Sequence, residues 1–220
     1  MARNIKQEVD LSKITIEQKI EELAQKYSET LKSKIDERVI EMKNDDNSHY
    51  LIYRVLGISK KEGENIDIYQ NKGRFLYKYA GSFLEEAATL CFKEKFPTGS
   101  KTRIENNQGQ RPKTYEIDFL NKNDAIEIKW RDATTDGDHI TKEHTRVKAI
   151  KSYNYKPIRV MFYYPNRAQA IKIQETLKTL YTGVSGVYHS GDEAWEYVKS
   201  YTGIDLKKIL ENIADKREVE

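Results

Sequence analysis

The sequence predicts an α/β fold: a mixed central β-sheet flanked by helices, with a long amphipathic helix at the N-terminal end. Three observations carry this. Apolar residues recur every three to four positions over residues 16–42, the period drops to two over 114–120 and 125–130, and helical and strand patterns then alternate as far as residue 189. A chain of 220 residues can bury a substantial core, and we read it as one domain with a helical arm (1–45), an α/β core (72–190) and C-terminal helices (191–220). Charged residues reach 33% and hydrophobic ones 38%, with fifteen Tyr, which indicates a wet surface on a chain that folds. No run approaches the roughly 18 apolar residues of a membrane span, and residues 1–10 lack the apolar stretch of a signal peptide. A cytoplasmic protein without a membrane partner is expected. Cys91 is the only cysteine, which excludes an internal disulfide and a thiolate metal cluster.

In the first helix the apolar stripe is Ile16, Ile20, Leu23, Tyr27, Leu31, Ile35, Val39 and Met42. It suits either a dimerisation arm or a helix lying on its own domain. A break at 44–48 precedes a short helix at 50–56 that ends at Gly57. Residues 63–71 read as polar loop with a brief strand at 66–68, and a second long helix as 74–96, stopped by Pro97. Tyr115, Ile117 and Phe119 then alternate with Thr114, Glu116 and Asp118, and Ile126, Ile128 and Trp130 with Ala125, Glu127 and Lys129. The polar residues 121–124 between them make a hairpin turn. Beyond it the pattern gives a helix at 141–152, a strand at 158–164, a helix at 169–181, a strand at 184–189, and helices at 192–201 and 205–214.

A tight turn centred on Lys122-Asn123 pairs Asn121 with Asp124, and so places Asp118 opposite Glu127 and Glu116 opposite Lys129. Facing β-carbons on such a pair lie about 4.5–5.5 Å apart, so two opposed carboxylates repel unless a cation sits between them. Magnesium, which takes few protein carboxylates and keeps its waters, suits the pocket. Lys129 shares that face and could hold a phosphate, stabilise developing charge or help deprotonate a water. Glu-x-Lys is a common pattern in so charged a chain, recurring at Glu17-Gln18-Lys19 and Glu41-Met42-Lys43. The strand context and the upstream Asp single out this copy.

Asp118 followed after eight residues by Glu127-Ile128-Lys129 resembles the PD-(D/E)XK nuclease superfamily, which includes most type II restriction endonucleases. The resemblance implies a restriction-endonuclease-like fold with Asp118 and Glu127 as metal ligands, joined by the main-chain carbonyl of Ile128. Where that motif often carries Pro before the Asp, Ile117 stands here. It also implies a role for a helical Glu four residues after a Gly, which Gly81 and Glu85 satisfy, although Glu85 reads equally well as a solvated helix residue. Two stretches, Tyr69-Gln70-Asn71-Lys72-Gly73-Arg74 and the run from Ile126 to His139, are similar to ApaLI-like type II restriction endonucleases. That narrower likeness implies a homodimer cutting double-stranded DNA at a short palindrome, with no small-molecule cofactor.

Net charge is only +3, but Lys142, Arg146, Lys148, Lys151, Lys156, Arg159 and Arg167 face a single acid, Glu143, between residues 139 and 167. We expect DNA there, met by Arg131, His139, Lys142, Glu143, Arg146, Lys148 and Lys151, through base edges or phosphates alike. Asp136, Asp138, His139 and His144 could instead form a metal cluster, although His pairs in polar loops are usually solvated. A repair or junction-resolving nuclease, a non-catalytic DNA-binding protein and a helical structural partner are the other classes considered.

Overall fold

The computed structural model describes residues 14–131 and 137–218, with backbone only at 137–139. In chain order the elements are α1 (Ile16–Lys43), α2 (Tyr50–Val55), α3 (Lys60–Lys95), β1 (Ser100–Glu105), β2 (Thr114–Asn121), β3 (Asp124–Arg131), α4 (Gly137–Ser152), β4 (Lys156–Tyr163), α5 (Ala168–Gly183), β5 (Val187–Ser190), α6 (Asp192–Thr202) and α7 (Leu206–Glu218). The five strands lie side by side in sequence order. β1–β2 and β2–β3 pair antiparallel, β3–β4 and β4–β5 parallel. α4 and α5 supply the crossovers that parallel neighbours require.

Each face of the sheet has its own helical layer. On one, Phe119, Ile126, Ile128, Val160 and Phe162 pack against residues of α1, α3, α6 and α7. On the other, Ile117 and Ala125 meet Ala149 and Ile150 of α4, and Met161 and Tyr188 meet Leu177 and Tyr181 of α5. Cys91 is fully buried in α3 and its thiol is pushed up to about 12 by burial, so it is inert at neutral pH.

α1 begins at a capping box in which Thr15 and Gln18 satisfy each other's backbone N–H. Its stripe is used inside the chain, with Ile20 and Leu23 buried and the Tyr27 ring edge-on to Phe83 of α3. The expected loop and strand at 63–71 are instead the opening turns of α3, a helix of 36 residues capped by Ser59. Gly63, where that loop was expected to start, is a packing contact: a β-carbon there would fall 2.6 Å from the Tyr53 ring of α2. The Ile66-Asp67-Ile68 alternation follows helical contacts as well, because Asp67 accepts from the hydroxyl of Tyr53. β1 was not anticipated, since an edge strand with Ile104 as its one buried residue has almost no apolar period.

A bulge breaks the predicted alternation in β2. Ser100 pairs with Leu120 and Thr102 with Ile117, so Asp118 and Phe119 together oppose Lys101. As a result Tyr115 and Ile117 point towards α4, whereas Phe119 crosses to the other face, stacks on Phe92 and covers Gly99. The extra residue at the crossing point is Asp118.

Candidate active site

The β2–β3 turn has the predicted register: Asn121 pairs with Asp124, Leu120 with Ala125 and Phe119 with Ile126. Lys122 adopts φ 52° to make the two-residue connection. Beyond Phe119 the strands exchange a side chain for a rung. The Asp118 carboxylate takes the Ile128 N–H at 2.8 Å, deep in the protein. Glu116 consequently does not sit against Lys129; it pairs with Lys101 and Arg103 of β1. Lys129 reaches Glu127 on its own strand, two residues away on the same face.

Glu127 is almost wholly enclosed and carries two cations, Lys129 on Oε1 and Arg146 on Oε2. Burial first, and then the charge of Glu127, push the Asp118 carboxyl up to about 7, with Lys129 pulling partly back. The charges of the two carboxylates thus act on each other, while Lys129 and Arg146 both make their contacts with Glu127. From the α3 side, Glu85 and Lys101 line a cleft of about 370 Å³ together with Asp118. Lys101 bridges Glu85 at 3.1 Å and Glu116 at 2.8 Å, and these contacts hold its ammonium above its ordinary value. Lys101 was missed because the strand that carries it was.

The predicted DNA-contacting residues are dispersed. Glu143 is buried, accepting from Arg159 Nη1 at 3.1 Å and from the Tyr181 hydroxyl at 2.6 Å, so it faces away from any groove. Burial pushes its carboxyl up, but Arg159, Arg146 and the Tyr181 hydroxyl outweigh that and hold it low. Arg146 turns inward onto Glu127 and the Glu116 carbonyl. Sequence could have shown this. Glu143, Arg146, Val147 and Ile150 share the i, i+3, i+4, i+7 stripe, and that stripe faces the sheet. Lys142 is exposed one turn before Arg146, whereas Lys148 and Lys151 are exposed on the far side of the helix, so the basic stretch is not one surface. Arg131, exposed at the end of β3, lies over the Tyr77 and Trp130 rings beside a cleft of about 470 Å³ that Arg167 also lines. The His139 side chain, and Asp136 and Asp138 as side chains, lie outside the described residues, and His144 is exposed on α4.

Among the described residues no three His, Cys, Asp or Glu side chains are grouped to hold an ion. The donor set available here is smaller: Asp118, Glu127 and the main-chain carbonyl of Ile128. It fits a hard divalent cation that keeps most of its waters, because both carboxylates are buried and the Asp118 charge, pushed against by burial and by Glu127, is disfavoured as it stands.

No curated protein and no solved structure matches the chain. A family model described as ApaLI-like restriction endonuclease matches residues 6–215. It spans both long helices, the bulged hairpin and the crossovers that enclose Glu127, and the chain belongs to that family.

Proposed function

We propose that this restriction endonuclease is a magnesium-dependent type II enzyme that hydrolyses both strands of DNA at a short palindromic site, through a PD-(D/E)XK-type centre of Asp118, Glu127 and Lys129. The observation that carries the reading is two buried carboxylates near enough for the charge of Glu127, after burial, to help raise Asp118 to about 7, with Lys129 on the strand face of Glu127. Asp118, Glu127 and the Ile128 carbonyl hold the cation, and Glu85 stands close enough for its charge to act on Asp118. Bound there, magnesium supplies Lewis acidity and a water acidic enough to give up a proton near neutral pH. The overall reaction is in-line attack of water on phosphorus with breakage of the P–O bond to the leaving sugar oxygen; the attacking water's proton passes to solvent and the leaving oxygen takes one from solvent. The Lys129 ammonium, about one-third exposed at the mouth of the site, steadies the phosphate and the charge that builds on it. Arg131 and Lys142 are the best-placed DNA contacts on the open side, and Lys148 and Lys151 serve phosphates farther along the duplex.

Plasmid DNA incubated with and without magnesium tests this directly. Discrete fragments that need the ion are expected. Smearing or a preference for branched DNA would replace the reading with a repair nuclease, and retarded, uncut DNA with a binding protein.

Cutting both strands of a palindrome calls for two centres related by a twofold axis, hence a homodimer. The outer face of α2 supports one, since Leu51, Ile52, Val55 and Leu56 are all more than half exposed, and Tyr69 of α3 is exposed as well. The pair of substitutions Val55→Asp and Leu56→Asp should turn a dimer into a monomer in sedimentation velocity and leave single-strand nicks as the main product. A variant that stays dimeric would move the interface elsewhere.

A further inference from the structure

Arg146 makes too few bonds for a buried guanidinium. Its Nη2 serves both Glu127 Oε2 and the Glu116 carbonyl, while its Nε is buried without a partner among the described residues. Across the pair, Glu127 is buried and takes Lys129 on Oε1 and Arg146 on Oε2, so both cations hold a carboxylate that a divalent ion would also use. A guanidinium has five donors in a planar fork suited to two parallel bonds with a carboxylate or a phosphate, and here Glu127 and the Glu116 carbonyl are both served from Nη2. A buried donor left without a partner is costly in a final arrangement. It makes sense where the arginine has a second ligand to take up.

We propose that Arg146 is an internal counterion: it neutralises Glu127 in the chain free of DNA and metal, competes with the divalent cation for that carboxylate, and passes to a DNA phosphate when the cation enters. The proposal rests on the metal-binding reading of Asp118 and Glu127 and adds a positioning residue to it. Placement on α4 makes the exchange feasible. The helix covers the sheet face that carries Glu127, and the buried Glu143 one turn earlier, whose charge also acts on Arg146, keeps a negative neighbour for the arginine after Glu127 is taken. Side-chain rotation alone moves the fork, since Arg146 is one-sixth exposed rather than sealed. Cation and DNA should then bind with positive coupling, each removing the competitor of the other.

Calorimetric titration of the full chain with manganese alone, in the absence of DNA, tests the first half. Arg146→Met should bind manganese at least tenfold more tightly than the parent, with Arg146→Lys between the two. A merely structural arginine predicts unchanged or weaker binding, and that result in a variant with the parent's melting temperature overturns the proposal. Should Arg146→Met fail to fold, Arg146→Gln takes its place in the same titration. In calcium, the slope of DNA affinity against salt should fall by about one in Arg146→Met, and an unchanged slope overturns the passage to phosphate. If manganese-dependent cutting persists while Arg146→Met leaves manganese affinity unaltered, only the counterion role is lost. If neither the parent nor any variant binds manganese, the metal centre itself fails with it.

Discussion

Asp118→Asn and Glu127→Gln should each lower DNA cleavage by a factor of about 10³ or more, equivalent to roughly 4 kcal/mol of transition-state stabilisation, because each removes one of two anionic donors from the proposed cation. The two variants are separable from a folding defect. Asn at 118 still offers an oxygen to the Ile128 N–H that Asp118 accepts at 2.8 Å, and it ends the repulsion with Glu127 that helps raise the carboxyl to about 7. Asp118→Asn should therefore melt at or above the parent's temperature while failing to cut. Gln at 127 instead leaves Lys129 and Arg146 without their shared counter-charge, so a lower melting temperature accompanies its loss of activity. DNA binding without metal should be retained or strengthened in both, since each removes a negative charge from the surface that meets phosphate. Supercoiled plasmid relaxed and linearised at the parent's rate by either variant would remove the assignment.

That the register beside the turn was legible, and the pairing and faces beyond Phe119 were not, has a local cause. The two-residue turn at Lys122-Asn123 fixes which residues pair, and turn chemistry is written in the sequence. The bulge at Asp118-Phe119 depends on how β1 meets β2, and β1 shows only Ile104 as an apolar signal. Strict alternation therefore placed Phe119 with Ile117, although the two end on opposite sides of the sheet. The same dependence hid the first turns of α3, where Gly63 answers to the Tyr53 ring rather than to a loop. In α4 the period was readable and its phase was misassigned: charge at Glu143 and Arg146 suggested an outer face, whereas Val147 and Ile150 on the same stripe put both inside. That Asp118, Glu127 and Lys129 fall near one another on β2 and β3 follows from one local turn, but the places of Lys101 and the inward Arg146 needed the tertiary fold.

Arg159→Met should destabilise the protein by about 3–5 kcal/mol, a fall of roughly 10 °C in melting temperature, by leaving Glu143 charged and buried with its hydrogen-bonding cation gone. Replacing both partners, Glu143→Leu with Arg159→Met, should recover much of that loss, because desolvation of the pair offsets most of what the pair gains. The acid dependence gives the sign. In the parent, the Glu143 carboxyl is held below its ordinary value, so its contribution is full above the usual carboxylate range and declines only as pH falls through the depressed value. In Arg159→Met, burial is far less opposed and pushes the carboxyl up, so the neutral form is taken at higher pH and the penalty shrinks on acidification. The gap in stability between parent and variant should accordingly be widest near neutrality and narrower at about pH 5. A gap that widens in acid would mean that Arg159 acts through packing alone. The same variant also bears on the active site, since Arg146 is the nearest remaining cation to Glu143 and would be drawn from Glu127 towards it. Tighter manganese binding in a destabilised Arg159→Met protein would then show that the buried cluster and the cleavage centre divide one arginine between them.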